Sequence, residues 1–158
     1  MKTRIISKSA AETAAIAHNL ALRIARGASG AGAPSAAGAA VIALQGELGA
    51  GKTTFTKAFA AALGIPAETV TSPTFVIEKR FDIAPADSHF KRLVHIDAYR
   101  LDTSREIEKL GWRETIADPT NIVVIEWPEN IGDALPPQAI RIAFTSTDEN
   151  TRQIDISF

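Results

Sequence analysis

The chain contains no cysteine, which removes disulfides, thiol nucleophiles and cysteine-ligated zinc from the chemistry open to it, while leaving its compartment undecided. An excess of charge of one sign is also missing. Seventeen Lys plus Arg stand against eighteen Asp plus Glu, a formal net charge of -1, so no global field draws the chain to nucleic acid or to a membrane surface. Any RNA contact is therefore expected to be local. No apolar run approaches the roughly 20 residues of a membrane span. The Ala-rich stretch after Lys8 is interrupted by Glu12, His18, Asn19 and Arg23 before the apolar core of a signal peptide can build up. These absences predict a soluble, cytoplasmic protein. What is present is ordinary: 158 residues, 46% of them hydrophobic, enough for one domain over 1–158 with a proper core.

Residues 9–26 are rich in helix formers, with Ile16, Leu20 and Ile24 spaced at i, i+4, i+8 and Gly27 as a stop. ASGAGAPSAAGA, residues 28–39, lacks charge and large side chains and reads as a flexible solvent loop. AVIALQ, residues 40–45, suits a buried central strand and runs into a glycine-rich loop, followed by a helix from about Lys52 to Leu63. Further strands are predicted over 74–81, 92–97 and 122–126, with 139–145 and 152–158 alternating like a half-exposed terminal pair. Residues 83–91 have the character of a hairpin loop, and SREIEKL, residues 104–110, of a short helix capped by Thr103 or Ser104. Central strands bounded by helices, with a more antiparallel periphery, point to an α/β class: a three-layer nucleotide-binding fold with a mixed central sheet.

Gly46, Gly51, Lys52 and Thr53 satisfy G-x-x-x-x-G-K-[ST], with a further Gly49 inside the loop. Glycines let the backbone turn tightly and direct successive N–H groups at phosphates, and the helix N-terminus adds its partial positive charge. Loop residues Glu47, Leu48, Gly49, Ala50, Gly51, Lys52, Thr53 and Thr54 are thus the candidate nucleotide contacts. In this pattern Lys52 reaches the β- and γ-phosphates and Thr53 Oγ1 ligates Mg²⁺. The bland alternative, a glycine turn followed by an exposed Lys, accounts for neither the strand before nor the helix after.

A phosphate loop also needs an acidic group for its metal, delivered by a neighbouring strand. Asp97 ends LVHID and Glu126 ends IVVIE, so both fit, although charges also sit at ordinary strand ends. His95 shares a face with Asp97 and is expected to be packed or hydrogen-bonded rather than a ligand. His18 and His89 read as surface residues. In TSPTF, residues 71–75, Ser72 and Thr74 flank a proline; the segment is either a turn into a strand or a switch whose hydroxyls sense the γ-phosphate or Mg²⁺. Trp127 of WPEN suits either the core or the nucleotide site.

Taken together, GELGAGKTTFTKAFAAALG, TSPTF, HIDAYRL (95–101) and VIEWPEN (124–130) closely resemble the TsaE family, and SREIEKLGWRE (104–114) resembles its E-x-x-x-x-G segment. The loops at 28–39 and 82–91 are longer than the family's compact minimum. The resemblance implies a small bacterial ATPase required for threonylcarbamoyladenosine formation at position 37 of tRNAs that read ANN codons. It implies MgATP held by Lys52 and Thr53, Glu126 in the metal site, Asp97 important for activity, and a nucleotide-responsive switch over Ser72 to Thr74. The implied partners are a tRNA-modifying transferase subunit and its inactive paralogue. The near-neutral charge suits tRNA contact that is indirect or weak, with local contacts from Lys79, Arg80, Lys91 or Arg92, although the bland reading of those basic pairs is solvated surface. Competing readings are a small-molecule kinase, for which no Arg-rich lid is visible, and a nucleotide-dependent assembly factor with negligible hydrolysis. A GTPase is disfavoured because N-K-x-D and D-x-x-G are both missing. Arg100 is a candidate for charge stabilisation in cis, or equally a strand-end salt bridge.

Overall fold

Three strongly apolar runs fix the middle of the sheet. In the computed structural model, which describes residues 1–27, 38–71, 77–84 and 88–158, β2 (Ala40–Gln45) lies parallel to β5 (Asn121–Glu126), and β5 lies parallel to β4 (Arg92–Asp97). On its other side β2 pairs in parallel with β6 (Ile140–Ser146). Strands buried on both faces must be apolar at nearly every position, and all six residues of β5 are buried. The edges are antiparallel. β3 (Glu78–Asp82) pairs with β4, while β7 (Arg152–Ser157) lies between β6 and β1 (Lys2–Ser7), giving the order β1-β7-β6-β2-β5-β4-β3. The edge strands carry charge, as in EKRFD of β3, which discourages pairing with another chain.

The twofold alternation of side chains along a strand divides the core into two layers. Ile42, Leu44, Leu93, Ile122 and Val124 face α1 (Ala10–Ala25) and α2 (Lys52–Ala62), packing with Leu20, Ile24, Phe55 and Phe59. Val41, Ala43, Val94, Ile96, Val123 and Ile125 face the opposite way, toward Ile107 of α3 (Ser104–Glu108) and Trp112 of α4 (Trp112–Ala117). This is the mixed, three-layer α/β fold expected from the sequence. It places the C-terminal ends of β2, β4 and β5 at one edge, where the phosphate loop begins.

Local sequence sets the helix ends. Ser9 Oγ accepts from the Glu12 backbone N–H at 3.1 Å, and the Glu12 carboxylate accepts from Lys8 N–H at 2.6 Å, a reciprocal cap that starts α1. The buried face of α1 is Thr13, Ala17, Leu20, Ala21 and Ile24, with Ile16 only partly buried. The stripe is thus rotated from the predicted Ile16, Leu20, Ile24 line toward Ala17 and Ala21, both fully buried. Thr103 is the N-cap of α3, and Glu106 accepts backbone N–H groups from Asp102 and Thr103. The predicted 104–110 helix stops at Glu108, and Gly111, at φ +75°, opens α4.

Three segments differ from expectation. β1 has no counterpart in the sequence reading: its burial is slight, and its partner β7 lies at the far end of the chain. The strand predicted over 74–81 is observed as Glu78–Asp82, with 74–76 outside the described residues. The flexible loop predicted over 28–39 falls outside the described residues up to 37, but Ala39 is buried and its N–H donates to Ile116 O at 2.8 Å. The 83–91 hairpin joins β3 to β4 as predicted, and it is anchored by buried Ile83 and Phe90.

Candidate nucleotide site

The loop from Gly46 to Gly51 leaves β2 and turns into α2 through three glycines with positive φ: +152° at Gly46, +76° at Gly49 and +109° at Gly51. At Gly46 a Cβ would lie 2.8 Å from Phe144 O, so close packing as well as backbone geometry demands glycine there. Ala50 N–H donates to Glu47 O at 3.1 Å, which closes the loop on itself, and Phe55 N–H donates to Gly51 O at 2.9 Å to start the helix ladder.

Lys52 is buried, with 5% of its surface exposed. Its Nζ donates to Gly46 O and, at 3.0 Å, to Glu47 O, and it lies 4.3 Å from the centroid of the Trp127 ring. Burial pushes the ammonium below its ordinary range, and Glu126, Glu129, Asp97 and Glu47 oppose that shift. A cation held there by neutral carbonyls and a ring face is well placed to accept anionic oxygens in exchange. Trp127 is the one non-glycine residue with positive φ among the described residues, at +59°. Its N–H donates to Leu44 O at 3.2 Å, and its ring also meets Tyr99 at 5.0 Å between centroids. The left-handed backbone at Trp127, a sparsely populated state for a bulky residue, turns the indole back over the loop.

Asp97 and Glu126 are direct partners in the register of β4 and β5, with Leu44 of β2 opposite Glu126 on the other side. Alternation places both carboxylates on the α2 side of the sheet, the side of His95 and Val124. Asp97 is half-buried and its Oδ1 accepts from Tyr99 N–H at 3.0 Å. Glu126 is buried, and its Oε1 lies 2.9 Å from His95 Nε2. His95 is fully buried, and its Nδ1 is without a hydrogen-bond partner. The segments behind this edge are tied together: Ala98 N–H donates to Glu126 O at 3.0 Å and Asn130 Nδ2 donates to Ala98 O at 2.9 Å.

A cavity of 260 Å³ gathers Gly49, Gly51, Lys52, Thr53, Thr54, Asp97 and Glu126, with Leu48, Tyr99 and Trp127 on its rim. The predicted loop residues and both carboxylates therefore converge, whereas Glu47 and Ala50 contribute backbone behind it. Ser72 and Thr74 lie outside the described residues. His18 and His89 are exposed. Lys79 bonds the Thr71 hydroxyl, Arg80 pairs with Glu78, and Arg92 lies 4.0 Å from Asp82, so two of the hairpin's basic residues, Arg80 and Arg92, have a carboxylate beside them. Arg100 is exposed. Sequence reasoning gave Tyr99 no role and left Trp127 open; the signal that could have placed them is their position one or two residues after the two acidic strand ends.

The donors available to a cation here are the Thr53 hydroxyl and two carboxylates, all hard oxygens that suit Mg²⁺ rather than a soft metal. Among the described residues no cluster of three or more His, Asp or Glu side chains could hold a metal by itself. Mg²⁺ typically binds through one or two carboxylates together with waters and phosphate oxygens.

The chain is similar to known proteins of one family. The sequence model for the family described as threonylcarbamoyl adenosine biosynthesis protein TsaE matches residues 7–154. The tRNA threonylcarbamoyladenosine biosynthesis protein TsaE of Bacillus subtilis is 38% identical over 116 residues, covering 72% of this chain and 66% of that protein. The protein of the same name from Treponema pallidum is 35% identical over 117 residues, covering 74% and 81%. The crystal structure of YdiB from Bacillus subtilis superposes with a TM-score of 0.69 at 29% identity, over 99% of this chain and 84% of that one. With the family model spanning nearly the whole chain and relatives at this identity bearing the same name, the chain belongs to the TsaE family, whose members serve tRNA threonylcarbamoyladenosine biosynthesis.

Proposed function

We propose that the chain is a single ATPase domain that binds MgATP, hydrolyses it, and thereby supports repeated turnover of the complex that forms threonylcarbamoyladenosine at position 37 of ANN-decoding tRNAs. The observation that carries this reading is the convergence of Lys52, Thr53, Asp97 and Glu126 on one cavity at the strand ends. Loop amides from Gly49 to Thr54, together with Lys52, hold the phosphates. Thr53 Oγ1 and the Glu126 carboxylate would hold Mg²⁺, directly or through water, and the bound ion would supply charge neutralisation at the phosphates.

Water attacks the γ-phosphorus in line, the bond from phosphorus to the β–γ bridging oxygen breaks, ADP leaves, and the water's proton ends on phosphate or solvent. Asp97, half-exposed and oriented by the Tyr99 N–H, orients that water or braces the metal shell. Positioning and charge stabilisation carry most of such a reaction, so turnover is slow until partners complete the site. Those partners are a tRNA-modifying transferase subunit and its inactive paralogue, acting in the cytoplasm. With Arg80 and Arg92 beside carboxylates and a formal net charge of -1, the partners rather than this chain hold most of the tRNA.

Phosphate release from MgATP, measured for the chain alone and with the transferase pair, tests the reading. Strong activation by the pair and loss of most turnover in Lys52→Ala are expected. Turnover in Lys52→Ala equal to wild type would refute the site. Brisk turnover alone, unchanged by the pair, would favour a small-molecule acceptor instead.

A further inference from the structure

The glycines that shape the phosphate loop also give it conformational freedom that must be lost when it grips phosphates. One side chain outside the loop restrains it. Arg152, the first residue of β7, lies 102 and 103 positions from its two loop partners: Nε donates to Ala50 O at 3.2 Å and an Nη donates to Gly49 O at 3.4 Å. The other Nη donates to Asp148 O at 3.0 Å, Glu149 O at 3.2 Å and Thr151 O at 3.0 Å. The guanidinium thus joins the loop to the β6–β7 turn. That turn is itself stiff: Asp148 Oδ1 accepts from Asn150 N–H at 2.9 Å and from Thr151 N–H at 2.7 Å, and Thr147 N–H donates to Thr151 O at 3.1 Å.

We propose that Arg152 is a positioning residue for nucleotide binding, holding the phosphate loop in its binding shape by pinning the Gly49 and Ala50 carbonyls to the β6–β7 turn. In a trans peptide the carbonyl and the following N–H point in opposite directions. Fixing the Ala50 oxygen therefore fixes the direction of the Gly51 N–H, at the residue that precedes Lys52 and has φ +109°. Fixing the Gly49 oxygen does the same for the Ala50 N–H, which donates to Glu47 O. A loop ordered in advance loses less entropy on binding. Only a planar fork with donors on several edges can span loop and turn together; a lysine ammonium, a single point charge, cannot. The inference rests on the nucleotide-binding reading above, and it adds a residue that the loop motif does not contain.

The test compares wild type, Arg152→Met and Arg152→Lys for binding of MgADP and, by competition against a fluorescent ADP analogue, of inorganic tripolyphosphate with Mg²⁺. Melting temperatures confirm that each is folded at the temperature of the assay. Arg152→Met is expected to weaken both ligands about tenfold, the loss associated with roughly one charge-assisted hydrogen bond, and Arg152→Lys is expected to recover little of it. Unchanged affinity in a folded Arg152→Met overturns the proposal, since a purely structural role moves the melting temperature and not the affinity of folded molecules. Loss of MgADP affinity without loss of tripolyphosphate affinity also overturns it, by placing Arg152 on the nucleoside. Full recovery in Arg152→Lys would show that the side chain acts only as a charge. If Arg152→Met does not fold, Arg152→Gln takes its place in the same comparison. Wild type that binds neither ligand sinks the nucleotide-binding reading itself, an outcome distinct from the others.

Discussion

Replacing His95 by leucine tests how the buried carboxylate of Glu126 is maintained. His95 is fully buried, the Glu126 side chain is 4% exposed, and the two are joined at 2.9 Å. Removing one partner of a buried pair costs about 3–5 kcal/mol, because the other is left uncompensated. Leucine also removes the unpartnered Nδ1, and relief of one unsatisfied buried polar atom returns about 1–3 kcal/mol. The first effect outweighs the second, leaving a net loss of about 2 kcal/mol. For a chain of this size that lowers the melting temperature by ~4–8 °C. Removing both polar groups has a different outcome, since well-packed apolar residues in place of a buried pair are often neutral or stabilising. His95→Leu with Glu126→Leu is therefore expected to melt above His95→Leu alone, with the two substitutions strongly non-additive. Calorimetric melting of wild type, both single variants and the double variant, without nucleotide, measures this. A double variant whose loss equals the sum of the single losses would show that His95 and Glu126 do not act as a pair, and the argument would fail.

Three further outcomes follow from particular contacts. Gly46→Ala forces a Cβ to within 2.8 Å of Phe144 O at a residue with φ +152°, so it should cost about 2 kcal/mol and weaken MgADP binding; a variant with wild-type melting and wild-type titration would contradict that geometry. Asp97→Ala should impair hydrolysis more than nucleotide affinity, because its carboxylate already bonds Tyr99 N–H at the rim; equal losses in single-turnover rate and in MgADP affinity would show it to be a binding residue. On the acid side, the carboxyls of Asp118 beside the Thr120 hydroxyl, Asp148 at the Thr151 turn, Asp155 beside Arg4 and Glu106 at the Asp102 N–H are all held below their ordinary range. Their contribution is present above the unfolded values, near 4, and is lost as pH falls through the lower folded values, so melting temperature should hold from pH 7 to about 5 and decline below about 4. A steady decline beginning near pH 7 would mean that other groups govern acid stability.

The parts of this molecule legible in its sequence are those whose physics is local. A glycine loop between an apolar strand and a helix announces itself, because the turn, the amides and Lys52 lie within a few residues of one another. The two acidic strand ends were legible for a similar reason: a charge closing an apolar run marks where a strand leaves the core, and parallel neighbours bring such exits to one edge. Pairing across the chain left no local trace. β1 is weakly apolar and gains its place only by joining β7 at the opposite terminus. The His95–Glu126 contact spans 31 residues, and only the register of β4 with β5, which sets them diagonally on one face, brings them within reach. Trp127 could not be assigned from type alone, since an indole suits a core as well as a site; what decides is its left-handed backbone directly after Glu126, which swings the ring from the strand back over Lys52. The strained Trp127 directly follows Glu126, the buried partner of His95, at the end of β5. The conformational and desolvation costs of the fold therefore fall where phosphate and metal would bind, and binding there can relieve them by supplying a dianionic partner for Lys52 and a cation for Glu126.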